Sequence, residues 1–194
     1  MFYALLETYR QATRESITTH TPSETPGSSR WLPPPHGQLR LDVDASFRDE
    51  DNRCGVGGVI RTYEGQLLAA FGRTMPRPDS VVIGELLAIH EGLRVVQEQN
   101  FQQVTGFSDS LLAVQAVTEP SRDLSYAGLC ASEIKALSSL LQIISIFHVR
   151  RTDNVVVHSL AKFVVSSPAP FIWVSESFSS WLVNLVTSDI TIYE

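Results

Sequence analysis

The period of the apolar residues first changes near Ser80, and this change constrains the fold more than any other feature of the sequence. Before it, QLRLDVDASF alternates Leu39, Leu41, Val43 and Ala45 with Arg40, Asp42 and Asp44, the period of a half-buried strand. CGVGGVIRT and QLLAAFGR read as two further strands joined by the glycine-containing turn YEGQ, so three antiparallel strands come first. After it, Val82, Leu86, Ile89, Leu93 and Val96 recur along one side of a helix in SVVIGELLAIHEGLRVVQEQN, with Ser80 as its N-cap. FQQVTGFSD is a fourth strand, SLLAVQAVTE a short helix stopped by Pro120, and YAGLCASEIKALSSLL another helix. QIISIFHV is a fifth strand, and DNVVVHSLAKFVV is a closing helix capped by Asp153. The order βββαβααβα predicts an α/β fold, a mixed five-stranded sheet with helices on both faces.

This pattern occupies residues 38–165. Residues 1–14 place Phe2, Leu5, Leu6 and Tyr9 at helical spacing, which predicts a short amphipathic helix able to dock a protein partner. Residues 15–37 are rich in Ser, Thr and Pro and read as an extended linker. Residues 166–194 are apolar and aromatic, a tail expected to pack on the domain through Trp173 and Trp181. An apolar content of 43% supports a buried core, and the two cysteines, Cys54 and Cys130, provide no disulfide framework. No apolar run is long enough to span a bilayer, and MFYALLETYRQ lacks the basic start of a signal peptide. The expectation is a soluble intracellular protein, nuclear or cytoplasmic, without a membrane partner. A net charge of −6 argues against gripping nucleic acid by bulk electrostatics, and leaves room for a local basic patch beside an acidic site.

Three carboxylates fall at telling places. Asp44 lies on the first strand, Glu85 on the first helix of the domain, and Asp109 just past the fourth strand. If the first and fourth strands are neighbours, Asp44 and Asp109 approach each other and Glu85 reaches down onto them. Clustered carboxylates repel, so they are tolerated mainly where a hard divalent cation neutralises them. A pair of such cations can hold the attacking and leaving oxygens of a phosphodiester. Taken singly, each acid has an ordinary reading: a surface Asp, a solvated helix Glu, an N-cap Asp. Asp42 reads as a solvent-facing strand residue near the site. The GVGG stretch lies inside a strand and opens no helix, so it marks a bulge or a close backbone approach and not a dinucleotide fingerprint.

With LRLDVDASF, GVGGVIRTYEGQLLAAF, GELLAIHEGLRVV, VTGFSDSLLAVQAV and FHVRRTDNVVVHSLAKF in this order, residues 38–165 resemble the type 1 ribonuclease H family, most closely its plant reverse-transcriptase-like branch. The resemblance implies a ribonuclease H-like fold and endonucleolytic hydrolysis of the RNA strand of RNA–DNA hybrids with two Mg²⁺ or Mn²⁺ ions per site. It implies that Asp44, Glu85 and Asp109 are catalytic metal ligands and that His148 is the family's mobile catalytic histidine. His158 stands where the family has its last catalytic Asp. As a ligand it offers one nitrogen and no charge, which implies a weaker second metal site and poorer turnover with Mg²⁺. Arg150, Arg151 and Asn154 are the candidate nucleic-acid contacts. Ala45 replaces a common Gly, and Val81 and Leu111 stand where bacterial relatives place polar groups facing the minor groove. The alternative is a catalytically weak or inactive nucleic-acid-binding or protein-interaction module derived from a retroelement-type ribonuclease H. His158, the apolar Val81 and Leu111 and the acidic balance favour that alternative, whereas the Asp44, Glu85 and Asp109 set with His148 favours the enzyme.

Overall fold

A computed structural model of the chain describes residues 31–120, 123–166, 169–174 and 178–190. The helix expected over residues 1–14, and the linker up to residue 30, lie outside them. The strands are β1 (Leu39–Arg48), β2 (Arg53–Thr62), β3 (Leu67–Pro76), β4 (Val104–Ser108), β5 (Ile146–His148) and β6 (Phe171–Val174). The helices are α1 (Val81–Glu98), α2 (Leu111–Thr118), α3 (Tyr126–Leu140), α4 (Val155–Val165) and α5 (Ser180–Ile190), with a 3-10 turn at Arg151–Asp153 before α4. One sheet in the order β5-β4-β1-β2-β3-β6 holds every strand. β1 to β3 are antiparallel, while β4 and β5 run parallel to β1.

The sheet has six strands where the sequence reading expected five. β6 comes from the C-terminal segment: Phe171–Val174 pairs antiparallel with Ala69–Gly72 of β3. A four-residue apolar run carries no local sign of the edge it will join, because strand pairing is a contact made at long range.

Side-chain alternation divides the core between the two faces. Leu41, Val43, Val56 and Ile60 pack against Leu86, Ile89 and Leu93 of α1, and α2 and α3 complete that layer. On the other face Val59 and Ala70 meet Val156, Leu160 and Val164 of α4, with Leu182 and Val186 of α5. Trp173 and Trp181 pack against this second layer, where Trp181 lies 5.0 Å from Phe163 and Trp173 stacks on Phe171 at 4.1 Å. Ser80 caps α1 as its position predicts, its Oγ accepting from the Ile83 N–H. Ser110 and Ser125 cap α2 and α3 in the same way.

The glycines of β2 let α4 lie close to the sheet. A Cβ on Gly55 would stand 2.5 Å from the Val165 nitrogen and 2.8 Å from the Ala161 carbonyl oxygen. No side chain fits there, so the close-approach reading of this stretch describes it and the bulge lies elsewhere, between Ile60 and Arg61. This contact seats α4 across β1 and β2 and brings its first turns beside Asp44.

Asp42 corrects the sequence reading. It is 1% exposed, buried under α4 and α5, and lies between two equally buried arginines that are cross-strand partners, Arg40 and Arg61. Arg40 Nε donates to Asp42 Oδ1 at 2.7 Å and Arg61 Nη2 to Oδ2 at 2.8 Å. Arg61 Nη1 donates in turn to Asp189 of α5 at 2.8 Å. Both guanidinium groups face the ring of Trp31, which is 2% exposed, and Arg40 also donates to the Leu32 carbonyl. Trp31 therefore belongs to the folded unit and not to the linker in which its Pro-rich neighbours placed it. Alternation of polar and apolar residues reports two faces, and a neutralised charge cluster satisfies it as well as solvent does.

Candidate active site

Asp44 projects from the middle of β1, Asp109 follows the last residue of β4, and Glu85 sits one turn into α1. β1 and β4 are parallel neighbours with Val43 opposite Ser108, so their continuations bring Asp44 and Asp109 side by side. One carboxylate oxygen from each of Asp44, Glu85 and Asp109 lies within 4.8 Å of the others, a spacing at which one cation can touch all three. Asp44 and Glu85 are buried and Asp109 is half-buried.

The electrostatics of this cluster are unsatisfied. Burial first, and then the Asp109 charge, push the Asp44 carboxyl up to about 8; the Ala45 N–H and Arg151 pull it partly back. Burial, then Asp44 and Asp109, push Glu85 up to about 9. Glu85 Oε2 is fully buried and has no hydrogen-bond partner. An orphaned oxygen in a set of three converging carboxylates fits a hard divalent cation, which is selected by oxygen ligands and supplies the missing charge.

The two histidines occupy different positions around this cluster. His148 ends β5, and its Nε2 lies 3.2 Å from the backbone carbonyl of Asp109, at the rim. A carbonyl only accepts, so Nε2 is the nitrogen that carries a hydrogen in this contact. His158, on the first turns of α4, does not join the three acids as an equal ligand. Its Nδ1 is 2.9 Å from Asp44 Oδ2, while burial, followed by the charges of Arg151 and Lys162, lowers its pKa. A neutral ring donating Nδ1–H to Asp44 satisfies both facts.

The candidate nucleic-acid contacts separate. Arg150 and Arg151 are exposed at the 3-10 turn. Arg151 Nη2 lies 3.4 Å from Nδ1 and 3.2 Å from Nε2 of His158. An atom that close to both ring nitrogens stands over the face of the imidazole, since in the plane it would collide with the carbon between them. Asn154 is 2% exposed and its Nδ2 donates to the Val43 carbonyl at 3.0 Å, so it ties the start of α4 to β1. Asp153, expected to cap the closing helix, is instead the last residue of the 3-10 turn. Two participants were missed: the Ala45 N–H, which favours the charged forms of Asp44 and Glu85, and Arg151 as a neighbour of the acids. A backbone donor has no sequence signal, whereas Arg151, seven residues before His158, was visible and only its direction was not. Val81 and Leu111, at the N-termini of α1 and α2 beside the acids, are 53% and 45% exposed, giving the site an apolar rim.

The family profile described as reverse transcriptase-like matches residues 42–164. No curated protein matches the sequence. Among solved structures, LC11-RNase H1 in complex with an RNA/DNA hybrid superposes with a TM-score of 0.60 at 16% identity, covering 66% of this chain and 96% of that one. RNase H1 from the halophilic archaeon Halobacterium salinarum gives a TM-score of 0.55 at 23% identity over 66% and 97%. The N-terminal RNase H domain of a Mycobacterium tuberculosis protein gives 0.57 at 20% over 66% and 93%. At these identities the likeness establishes the ribonuclease H-like fold.

Proposed function

The chain belongs to the reverse transcriptase-like family, and from that premise we propose that it is a divalent-cation-dependent endonuclease cutting the RNA strand of RNA–DNA hybrids. The observation that carries this reading is the orphaned Glu85 Oε2 inside the Asp44, Glu85 and Asp109 cluster. Those three side chains would hold Mg²⁺ or Mn²⁺. When bound, such an ion lowers the pKa of a water molecule and neutralises phosphate charge. His148, at the rim with its Nε2 on the Asp109 carbonyl, would take a proton from the attacking water or return one to the leaving oxygen. His158 orients the Asp44 carboxylate through its 2.9 Å bond, and Arg150 and Arg151 present exposed donors to the phosphate backbone. A 5′-labelled hybrid incubated with the full chain and Mg²⁺ or Mn²⁺ tests this: internal cuts in the RNA strand are expected, with higher relative activity in Mn²⁺. An intact RNA strand in both metals, with folded protein and a silent Asp44→Asn control, would refute it.

A second reading, a binding module without turnover, is favoured by the exposed Val81 and Leu111 at the rim. It predicts hybrid binding with no cleavage in the same assay.

A further inference from the structure

The expected second ion meets a difficulty in the geometry. Asp44 would bridge two ions most readily with one oxygen on each, and its Oδ2 is already engaged by His158 Nδ1 at 2.9 Å. The group able to hold a cation among the described residues contains Asp44, Glu85 and Asp109, and His158 is not in it. What stands on the His158 side is already a cation. The Arg151 guanidinium lies over the imidazole face, 3.2 and 3.4 Å from its nitrogens, an arrangement that planar delocalised guanidinium adopts readily. Its charge acts on both Asp44 and Glu85. Its position is built in: Arg151 opens the 3-10 turn that leads into α4, and the buried Asn154 fastens the end of that turn to the Val43 carbonyl, one residue from Asp44.

We propose that the site takes one divalent ion, held by Asp44, Glu85 and Asp109, and that Arg151, braced on His158, supplies the positive charge a second ion would bring. The proposal rests on the hydrolytic reading above and deepens it. A guanidinium differs from an ion in two ways. It is present at every metal concentration, and its fork of N–H donors can engage two phosphate oxygens at once. It would grip the scissile phosphate and offset the charge that develops there, while its own positive charge, 3.2 Å from His158 Nε2, repels a further cation from that nitrogen.

Electron paramagnetic resonance counts Mn²⁺ directly. It is applied to the full chain alone and to its complex with a hybrid whose RNA strand carries 2′-methoxy groups and cannot be cut, with the hybrid's own ions subtracted. One ion is expected in both, and two in the complex of His158→Asp. Two ions in the wild-type complex would overturn the proposal and leave the hydrolytic reading standing; none in either sample would remove both. The second arm needs no turnover. Arg151→Ala, a change at an exposed position, should weaken binding of the uncut hybrid about tenfold and lower the salt slope by about one, as for loss of one phosphate contact. Mn²⁺ should bind the free Arg151→Ala protein more tightly than wild type, because a repelling charge has gone. Arg151→Lys should recover the slope but only part of the affinity. Unchanged hybrid affinity and slope in Arg151→Ala would overturn the assignment.

Discussion

Asp42 and Asp44 lie two residues apart on one face of β1, and both are all but excluded from solvent. The fold gives them opposite electrostatic surroundings. Asp42 receives two arginines, with Asp189 balancing the second, so its charge is neutralised by the chain itself. Asp44 receives two more carboxylates and a neutral imidazole. A buried charge needs a partner: Asp42 finds it within the chain, and on the proposed reading Asp44 takes it from solution. One segment of strand thus carries a neutralised acid at one position and an unneutralised acid cluster two residues on.

The comparison is broken most directly by neutralising each acid in turn. Asp44→Asn keeps an acceptor for His158 and removes a charge that the proposed ion needs. Hybrid cleavage should fall by about a thousandfold or more, ~4 kcal/mol in transition-state stabilisation, while the metal-free Tm rises because repulsion is relieved. A Tm that falls instead would mean that Asp44 is satisfied without metal. Asp42→Asn should do the opposite. It leaves two buried guanidinium groups without a counter-charge and should cost about 3–5 kcal/mol in urea unfolding, while cleavage per folded molecule stays within about twofold. A cost below ~1 kcal/mol would show that the arginines find other acceptors.

The pH dependence sharpens the same contrast. In the cation-free fold Asp44 is pushed up to about 8 and Glu85 to about 9, from ordinary values of 3.8 and 4.5. Between those limits the folded chain holds more protons than the unfolded one, so stability is greatest at the acid end of this window and falls as pH rises through it. Roughly 2–4 kcal/mol should be lost between about pH 5 and pH 9 in a chelator, and saturating Mg²⁺ should flatten the curve. Urea unfolding across that range, with and without metal, measures both slopes; a chelated protein that gains stability with pH would contradict the burial of unpaired acids. The smallest effect is expected at Asp189→Asn, which removes the outer member of the Arg61 pairing and leaves Asp42 in place. A loss of about 1 kcal/mol, seen as a small shift of the urea midpoint, is expected.

The contrast also explains what could be read from the sequence. Asp44, Glu85 and Asp109 were legible because each sits at a strand or helix position that a motif order places, and the elements between them follow from period and caps. Asp42 was not, since alternation cannot distinguish solvent from a charge cluster: Arg40 and Arg61 are 21 residues apart and become neighbours only through hairpin register. Asn154 stands at the cap position expected for Asp153 through a boundary shift of one residue, the ordinary uncertainty where a 3-10 turn runs into a helix. Trp31 sits among prolines, whose composition signals exposure, while its ring is held by two guanidinium groups that the linker itself does not encode.

β6 has a consequence for the chain in bulk solution. Without it β3 would be the open margin of the sheet, and its most apolar stretch, Leu67 to Phe71, would offer unpaired backbone groups to any other extended chain. β6 occupies Ala69–Gly72, and what remains open toward the end of β3 carries Arg73 and Pro76, poor templates for fibril growth. Protection of this sheet margin therefore comes from the C-terminal segment that follows residue 164, where the family likeness stops.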